Sequence, residues 1–514
     1  MVAVPSISYS ITARLELPVG RASVGELTAA VEGAGGMITA LDVTGSGSER
    51  LQIDVTCAAT STDHADRIVD VLRELPGVDV HKVSDRTFLM HLGGVIEMAS
   101  KHPIRNRDDL SLVYTPGVAR ICKAIVDNPE DARRLTVKRN AIAVVTDGSA
   151  VLGLGNIGAA AALPVMEGKA ALFKRFADVD SIDLCIDTED VDAFVNAVRY
   201  LGPLAALPVM EGKAALFKRF AGIDAFPICL DTQDTDEIVA AVKAIAPVFA
   251  GINLEDISAP RCFEIERRLR DELDIPVFHD DQHGTAIVTL AALTNALRVV
   301  GKQLADVRVV MSGAGAAGTA ILTLLLHAGA HDVVVCDKDG VVEPARPDIA
   351  SDPTSTLYRV ASTTNPRGVT GTLVSALKDA DVFIGVSAPG ILTGDDIATM
   401  APGAVVFAMA NPDPEVDPIA ASAYAAVVAT GRSDFANQIN NVLAFPGVFR
   451  GLLDAQSRSI GLEVLLAAAN ALAAVVTPDE LNATYIVPSV FHPDVTKVVA
   501  AAVQKAASRA QREG

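Results

Sequence analysis

Two apolar segments of this chain end in acids. Asn253-Leu254-Glu255-Asp256-Ile257 closes one, and Phe278-His279-Asp280-Asp281-Gln282-His283-Gly284-Thr285 closes the other, with 25 residues from Asp256 to Asp281. Both segments read as buried strands of a parallel sheet, and ligands gather beside the carboxyl ends of such strands. Four carboxylates on one edge repel each other unless a divalent cation or a shared proton neutralises them. An oxygen-rich donor set suits Mg²⁺ or Mn²⁺. His279 and His283 leave open a zinc site with nitrogen donors, although zinc sites usually take fewer carboxylates; otherwise the two imidazoles hydrogen-bond around the acids.

A second constellation lies downstream. VRVVMSGAGAAGTAILTLLLHAGAHDVVVCDKDG reads as a buried strand, a glycine turn, an apolar helix and a second strand that ends at Asp337, 19 residues after Gly318. In the turn Gly313-Ala314-Gly315-Ala316-Ala317-Gly318, glycines let the backbone approach a pyrophosphate at a helix N-terminus, and Asp337 can accept from a ribose 2′-hydroxyl. This is a Rossmann-type dinucleotide site. The charge of Asp337 disfavours a 2′-phosphate and argues for NAD; Lys338 beside it can offset that charge, so NADP stays open. A second match, Gly153 to Gly158, lacks the strand-plus-acid continuation and is read as a close strand-to-helix turn.

These motifs need elements to carry them, and 514 residues exceed a single core. Residues 1–90 read as strand, helix, strand, strand, helix, strand. That βαββαβ order and the Pro18-Val19-Gly20 turn resemble ACT domains, small α+β modules that bind metabolites and modulate a neighbouring domain; the plainer reading is an oligomerisation module. Residues 91–285 alternate buried strands (AIAVVTDG, FPICLDT, GINLEDI) with Ala-rich helices, and residues 286–514 hold the glycine turn and C-terminal helices. The expected fold is α/β, a parallel-sheet domain beside a Rossmann-type domain, with the small α+β domain in front.

Composition excludes several partners. A net charge of −20 repels phosphate backbones and anionic lipid, so neither nucleic acid nor a membrane surface is expected. An anionic substrate then requires local cations. The six cysteines form no CxxC pair, and the first residues lack a basic stretch followed by an apolar one, which together point to a reducing cytoplasm.

One feature interrupts the rhythm. AALPVMEGKAALFKRFA occupies residues 161–177 and recurs unchanged at 205–221, after which SIDLCIDTEDVDAFVNAVRYLGP loosely parallels AFPICLDTQDTDEIVAAVKAIAP. A helix-strand-helix unit (161–204, 205–248) is therefore present twice, too few copies for a solenoid.

Taken together, YTPGVA, TDGSAVLGLGNIG, LPVMEGKAALF, INLEDI, FHDDQHGTA, the glycine turn, ANPDPE and NNVLAFPG resemble bacterial malic enzymes from about residue 91 to 500. The resemblance implies metal-dependent oxidative decarboxylation of L-malate to pyruvate and CO₂ with reduction of NAD or NADP, in a homodimer or larger assembly. It also implies Tyr114 as general acid, Lys169 or Lys213 as general base, Asp280 as the carboxylate supporting that lysine, and Glu255, Asp256 and Asp281 as metal ligands. Asn411 and Asn441, with Asn440 as neighbour, match positions that hold the nicotinamide end and the substrate carboxylates. The family carries one copy of the repeated unit, so here the base is offered twice. Lys169 keeps the link to the upstream GLGNIG turn, Lys213 the link to Glu255; the direct helix entry favours Lys169, with the other unit extruded or added at the sheet edge. Two further readings remain: a malolactic conversion that releases lactate, and a metabolite-sensing binding protein disabled by the extra unit.

Overall fold

Strict alternation builds the N-terminal sheet. In β1 (Ser6–Pro18), Ile11, Ala13, Leu15 and Leu17 point one way, and Ile53, Val55 and Cys57 of β3 (Arg50–Ala59) join them. Leu27 and Val31 of helix Val24–Gly33 and Ile68 and Leu72 of helix Thr62–Glu74 cover that face. With β2 (Met37–Ser46) and β4 (Asp79–Asp85) the antiparallel order is β2-β3-β1-β4, and the element order is the βαββαβ read from the sequence. The opposite face is polar, with Arg14 donating twice to Asp54 at 2.8 and 2.7 Å.

The structure is a computed structural model and describes residues 5–18, 24–46, 50–114, 117–147, 149, 151, 156–177, 179–188, 190, 194, 206–410, 413–432 and 435–513. They group into two compact units: Met1–Glu97 with Pro164–Asp178, and Met98–Leu163 with Val179–Gly514. No break in packing falls at 285/286, because within the second unit one apolar cluster runs from Ile104 through Phe217 and Phe278 to Phe445 and Val503.

The second unit holds β5 (Ala141–Thr146) paired in parallel with β6 (Asp180–Cys185), and β7 (Ile252–Leu254) paired in parallel with β8 (Val277–His279). The strand expected over FPICLDT is not formed at Phe226–Cys229. The equivalent segment of the first copy, β6, occupies the edge of β5, and Pro227 has no N–H to offer a ladder. The remaining sheet comprises β9 (Arg308–Ser312), β10 (Asp332–Asp337), β11 (Gly340–Val341), β12 (Val382–Gly385), β13 (Val405–Ala408) and β14 (Val427–Thr430) in the order β11-β10-β9-β12-β13-β14. All its pairings are parallel except the β10–β11 hairpin, and helix Ala316–His327 crosses from β9 to β10. Asp280–Val300, at a mean hydropathy of 1.2, is long and apolar enough to cross a membrane by length and composition. Here 67% of its apolar window is buried, with helices Ala316–His327 and Leu462–Val475 packed against its helical part.

The two identical stretches meet different surroundings. Leu216 in the second copy is fully buried, whereas its counterpart Leu172 is 56% exposed. Beside Leu216, Phe217 packs on Phe445 (centroids 4.6 Å apart) and Phe449 (5.3 Å). Leu216→Ala is therefore expected to cost about 2–5 kcal/mol in urea unfolding, and Leu172→Ala less than about 0.5 kcal/mol.

Candidate active site

Helix Leu207–Ala221 starts with Pro208 in its first turn and stops at Gly222, whose φ of 63° is left-handed. Midway, Gly212 lies against the segment bearing Tyr114: a Cβ there would come within 2.8 Å of the Val113 carbonyl oxygen and 2.9 Å of the Tyr114 ring. Only glycine admits that approach. At the matching Gly168, a Cβ would meet nothing within 4 Å.

This close fit carries Lys213 inward. Its Nζ lies 2.6 Å from Asp280 Oδ2 and 2.8 Å from Glu255 Oε1, with all three side chains almost wholly buried. The ammonium also sits 4.3 Å from the Phe445 ring centroid and 5.4 Å from that of Tyr114. Burial opposes the charge on Lys213, but Asp280 and Glu255 outweigh it and hold the amine protonated. Burial likewise keeps the Tyr114 hydroxyl protonated well above its ordinary range. Asp280 Oδ2 accepts a further bond from Asn441 Nδ2 at 3.1 Å, and Asn441 Oδ1 accepts from the Thr285 hydroxyl at 3.2 Å.

The geometry thus gathers Lys213, not the favoured Lys169, with Tyr114, Asp280 and Glu255. Lys169 is exposed on helix Ala159–Ala177 and belongs to the other compact unit. The reason is tertiary: the second copy has the buried leucine and the glycine contact that insert its helix into the core.

Around the end of β7, Glu255, Asp256 and Asp281 each bring one carboxylate oxygen within 4.8 Å of the others, the group of this kind among the described residues. Asp256 holds a left-handed φ of 55°, which aspartate tolerates, and its N–H donates to Asp281 Oδ2 at 2.8 Å. Asn253 Nδ2 donates to Glu255 Oε2 at 2.8 Å. Burial, relieved by Lys213 and reinforced by Asp280 and Asp281, raises the Glu255 pKa well above the usual range; burial and the Asp280 charge raise that of Asp281. Acids that raise one another's pKa values at an all-oxygen site fit a hard divalent cation. Neither histidine belongs to that three-acid group, although His279 Nδ1 lies 3.7 Å from Asp281 Oδ2. His283 Nε2 pairs with Glu266 at 2.8 Å, and Glu266 also accepts from Gln282 Nε2 (3.2 Å) and the His279 N–H (3.3 Å), bracing the π-helical turn Asp280–Gly284.

At the glycine turn, Gly313 (φ 109°) lies against Val386, where a Cβ would stand 2.5 Å from the carbonyl oxygen, and a Cβ on Gly318 would strike the Gly313 carbonyl oxygen at 1.9 Å. A Cβ on Gly315 would meet nothing within 4 Å. Ala314 follows the bend, and Ala316 and Ala317 open the helix. Asp337, at the end of β10, is not a lone acceptor. Arg346 forms a two-pronged pair with it, Nη1 to Oδ1 at 2.7 Å and Nη2 to Oδ2, while Lys338 turns to Asp339 at 2.6 Å. Nothing in the local spacing signalled Arg346 or Phe445. Asn440 caps its own turn by accepting from the Val442 N–H at 2.9 Å. Asn411 and Gly153 and Gly155 lie outside the described residues.

Comparison with known proteins gives concordant matches. The family model "Malic enzyme, N-terminal domain" matches residues 93–203 and 200–270, and "Malic enzyme, NAD binding domain" matches residues 282–508. An NAD-dependent malic enzyme of Geobacillus stearothermophilus is 52% identical over 502 residues, 98% of this chain and 95% of that protein. A bifunctional malic/malolactic enzyme of Bacillus subtilis is 48% identical over 85% of this chain and 93% of its own length. Among solved structures, the malic enzyme of Pyrococcus horikoshii superposes with a TM-score of 0.56 at 42% identity, covering 81% of this chain and 88% of the other.

Lys213→Met keeps the stem and removes the charge, leaving two buried carboxylates without their cation. In metal-free protein it should lower unfolding free energy at neutral pH by about 3–5 kcal/mol, measured by urea titration.

Proposed function

Since the chain belongs to the malic enzyme family, we propose that it oxidises and decarboxylates L-malate to pyruvate and CO₂ with reduction of NAD. The observation that carries this reading is Lys213 bonded to Asp280 and Glu255 beside Tyr114, next to the carboxylates of Asp256 and Asp281. Glu255, Asp256 and Asp281 would hold Mg²⁺ or Mn²⁺, and Gly313 to Gly318 with Asp337 would hold NAD. When bound, these groups supply charge neutralisation at the 2-oxo oxygen and a hydride acceptor.

The chain's own residues move the protons. Lys213 must first release the proton that Asp280 and Glu255 hold on it, which Glu255 would allow on turning to the cation; the neutral Nζ then takes the 2-hydroxyl proton, and Asp280, steadied by Asn441, balances the resulting ammonium. When the distal carboxylate leaves as CO₂, its bonding electrons remain as the enolate of pyruvate. Tyr114, kept protonated by burial, gives its proton to the methylene carbon, and Lys213, whose Nζ lies 5.4 Å from the Tyr114 ring centroid, returns one to the phenolate. Removal of CO₂ therefore ends with no net proton on either group. The Phe445 ring, its centroid 4.3 Å from Nζ, shields the amine on one side.

Asp337 supports NAD over NADP, although Arg346 neutralises part of its charge. The βαββαβ module supports a regulatory reading in which a small metabolite acts on the catalytic unit, and six free cysteines support a reducing, cytoplasmic setting. A malolactic activity is the second reading, favoured by the similarity to the bifunctional enzyme. Net reduced cofactor separates the two.

Purified protein with L-malate, Mn²⁺ and NAD is expected to form reduced dinucleotide. Lys213→Ala should lower kcat at least about 10³-fold, and Lys169→Ala should leave it within about twofold. Silence of the unmutated protein with both NAD and NADP would sink the catalytic reading and leave a metabolite-binding protein. Asp337→Ser should raise KM for NAD about tenfold and narrow the gap to NADP, read from parallel initial-rate series.

A further inference from the structure

Glu415 follows β13 in sequence, has no exposed surface, and takes no part in the proton-transfer and metal-binding groups described above. Its carboxylate joins the ends of two neighbouring strands. Oε1 accepts from the N–H of Ser387, just beyond β12, at 2.8 Å and from the Ser387 hydroxyl at 3.3 Å; Oε2 accepts from the N–H of Ala410, just beyond β13, at 3.0 Å. The Ser387 hydroxyl in turn hydrogen-bonds to that of Ser312, at 2.8 Å, on the residue before Gly313. β12 ends in glycine to admit this carboxylate, since a Cβ on Gly385 would stand 2.4 Å from its Cδ.

Burying a carboxylate is unfavourable unless both oxygens are bonded, and here both are. An apolar side chain would fill the same space without that demand. What the carboxylate adds is position. In the order β11-β10-β9-β12-β13-β14 the chain reverses direction of growth between β9 and β12, the place where a doubly wound sheet opens its binding crevice. Ser312 lies on one wall of that crevice and Ser387 on the other.

We infer that Glu415 is a positioning residue for the dinucleotide, fixing the loop after β12 against the glycine turn so that the crevice keeps its width. This rests on the reading of the glycine turn as the NAD site. The test is the affinity for NADH, followed by its fluorescence without malate or metal, in the full-length protein and in Glu415→Gln, Ser387→Ala and Leu377→Ala. Leu377 is a buried apolar residue of the same domain and serves as a measure of simple destabilisation. Glu415→Gln, which can accept at one oxygen only, should weaken NADH binding about tenfold and Ser387→Ala about threefold, with Leu377→Ala unchanged within about twofold at an equal or larger drop in Tm. In steady state, Glu415→Gln should raise KM for NAD and leave KM for malate unmoved. Binding by Glu415→Gln within twofold of the unmutated protein, or losses that follow Tm across all variants, would overturn the inference. If Glu415→Gln does not fold, Ser387→Ala against Leu377→Ala decides by the same criteria. Failure of the underlying reading looks different, because the unmutated protein itself would then bind no NADH.

Discussion

An ammonium within 2.8 Å of two carboxylates, all three nearly cut off from solvent, is an arrangement that the rest of the catalytic unit has to maintain. Desolvating such charges costs several kcal/mol apiece, and their attraction offsets this only when geometry is close and the remaining lone pairs are bonded. The surrounding residues meet that condition at Glu255 and at Asp280 Oδ2, while Asp280 Oδ1 is buried with no hydrogen-bond partner among the described residues. Gly212 lets the helix of Lys213 close on the Tyr114 segment, Asn441 takes up Asp280, Asn253 takes up Glu255, and Glu266 braces the turn carrying Asp280 and Asp281. A cluster of this kind contributes little net stability and instead selects one arrangement, because any other leaves a buried charge alone.

The repeated stretch isolates how much of that selection is tertiary. The repeated sequence forms a helix in both copies, within Ala159–Ala177 in the first and over Leu207–Ala221 in the second. In one copy leucine, glycine and lysine become core, contact and ion pair; in the other they are exposed or unopposed. Helix formation is local information and burial is not. Among the described residues it is the second copy that meets Phe445, Phe449, Val113 and Asp280.

This explains which features were legible in advance. Acids at strand ends, glycines at fixed spacing before a helix, and period-two alternation in the N-terminal sheet are signals written in neighbouring residues, and the elements appear where those signals lie. The choice between Lys169 and Lys213 was not legible, since the sequence around both is identical. Phe445, 232 positions from Lys213, and Glu415, reaching across to Ser387, act through contacts that no local pattern encodes. The strand expected over FPICLDT failed for a related reason: two segments of equal pattern compete for one edge of β5, and the one free of proline pairs.

The charge of the chain places a further demand on the site. A net −20 works against a dianionic substrate and a dinucleotide, and long-range attraction cannot gather either. The compensation has to be short-range and buried, where a low dielectric magnifies each interaction. Lys213 provides it at the carboxylate cluster, Arg346 provides it beside Asp337, and the N-terminus of helix Ala316–His327 presents unpaired N–H groups at the glycine turn. Both side-chain cations are already held by acids, Lys213 by Asp280 and Glu255 and Arg346 by Asp337 and Asp348, so the orientation of each is set before any ligand arrives. A ligand therefore meets charges at fixed positions. That makes affinity depend on the positions of the acids, Asp280, Glu255 and Asp337, as strongly as on the cations they hold.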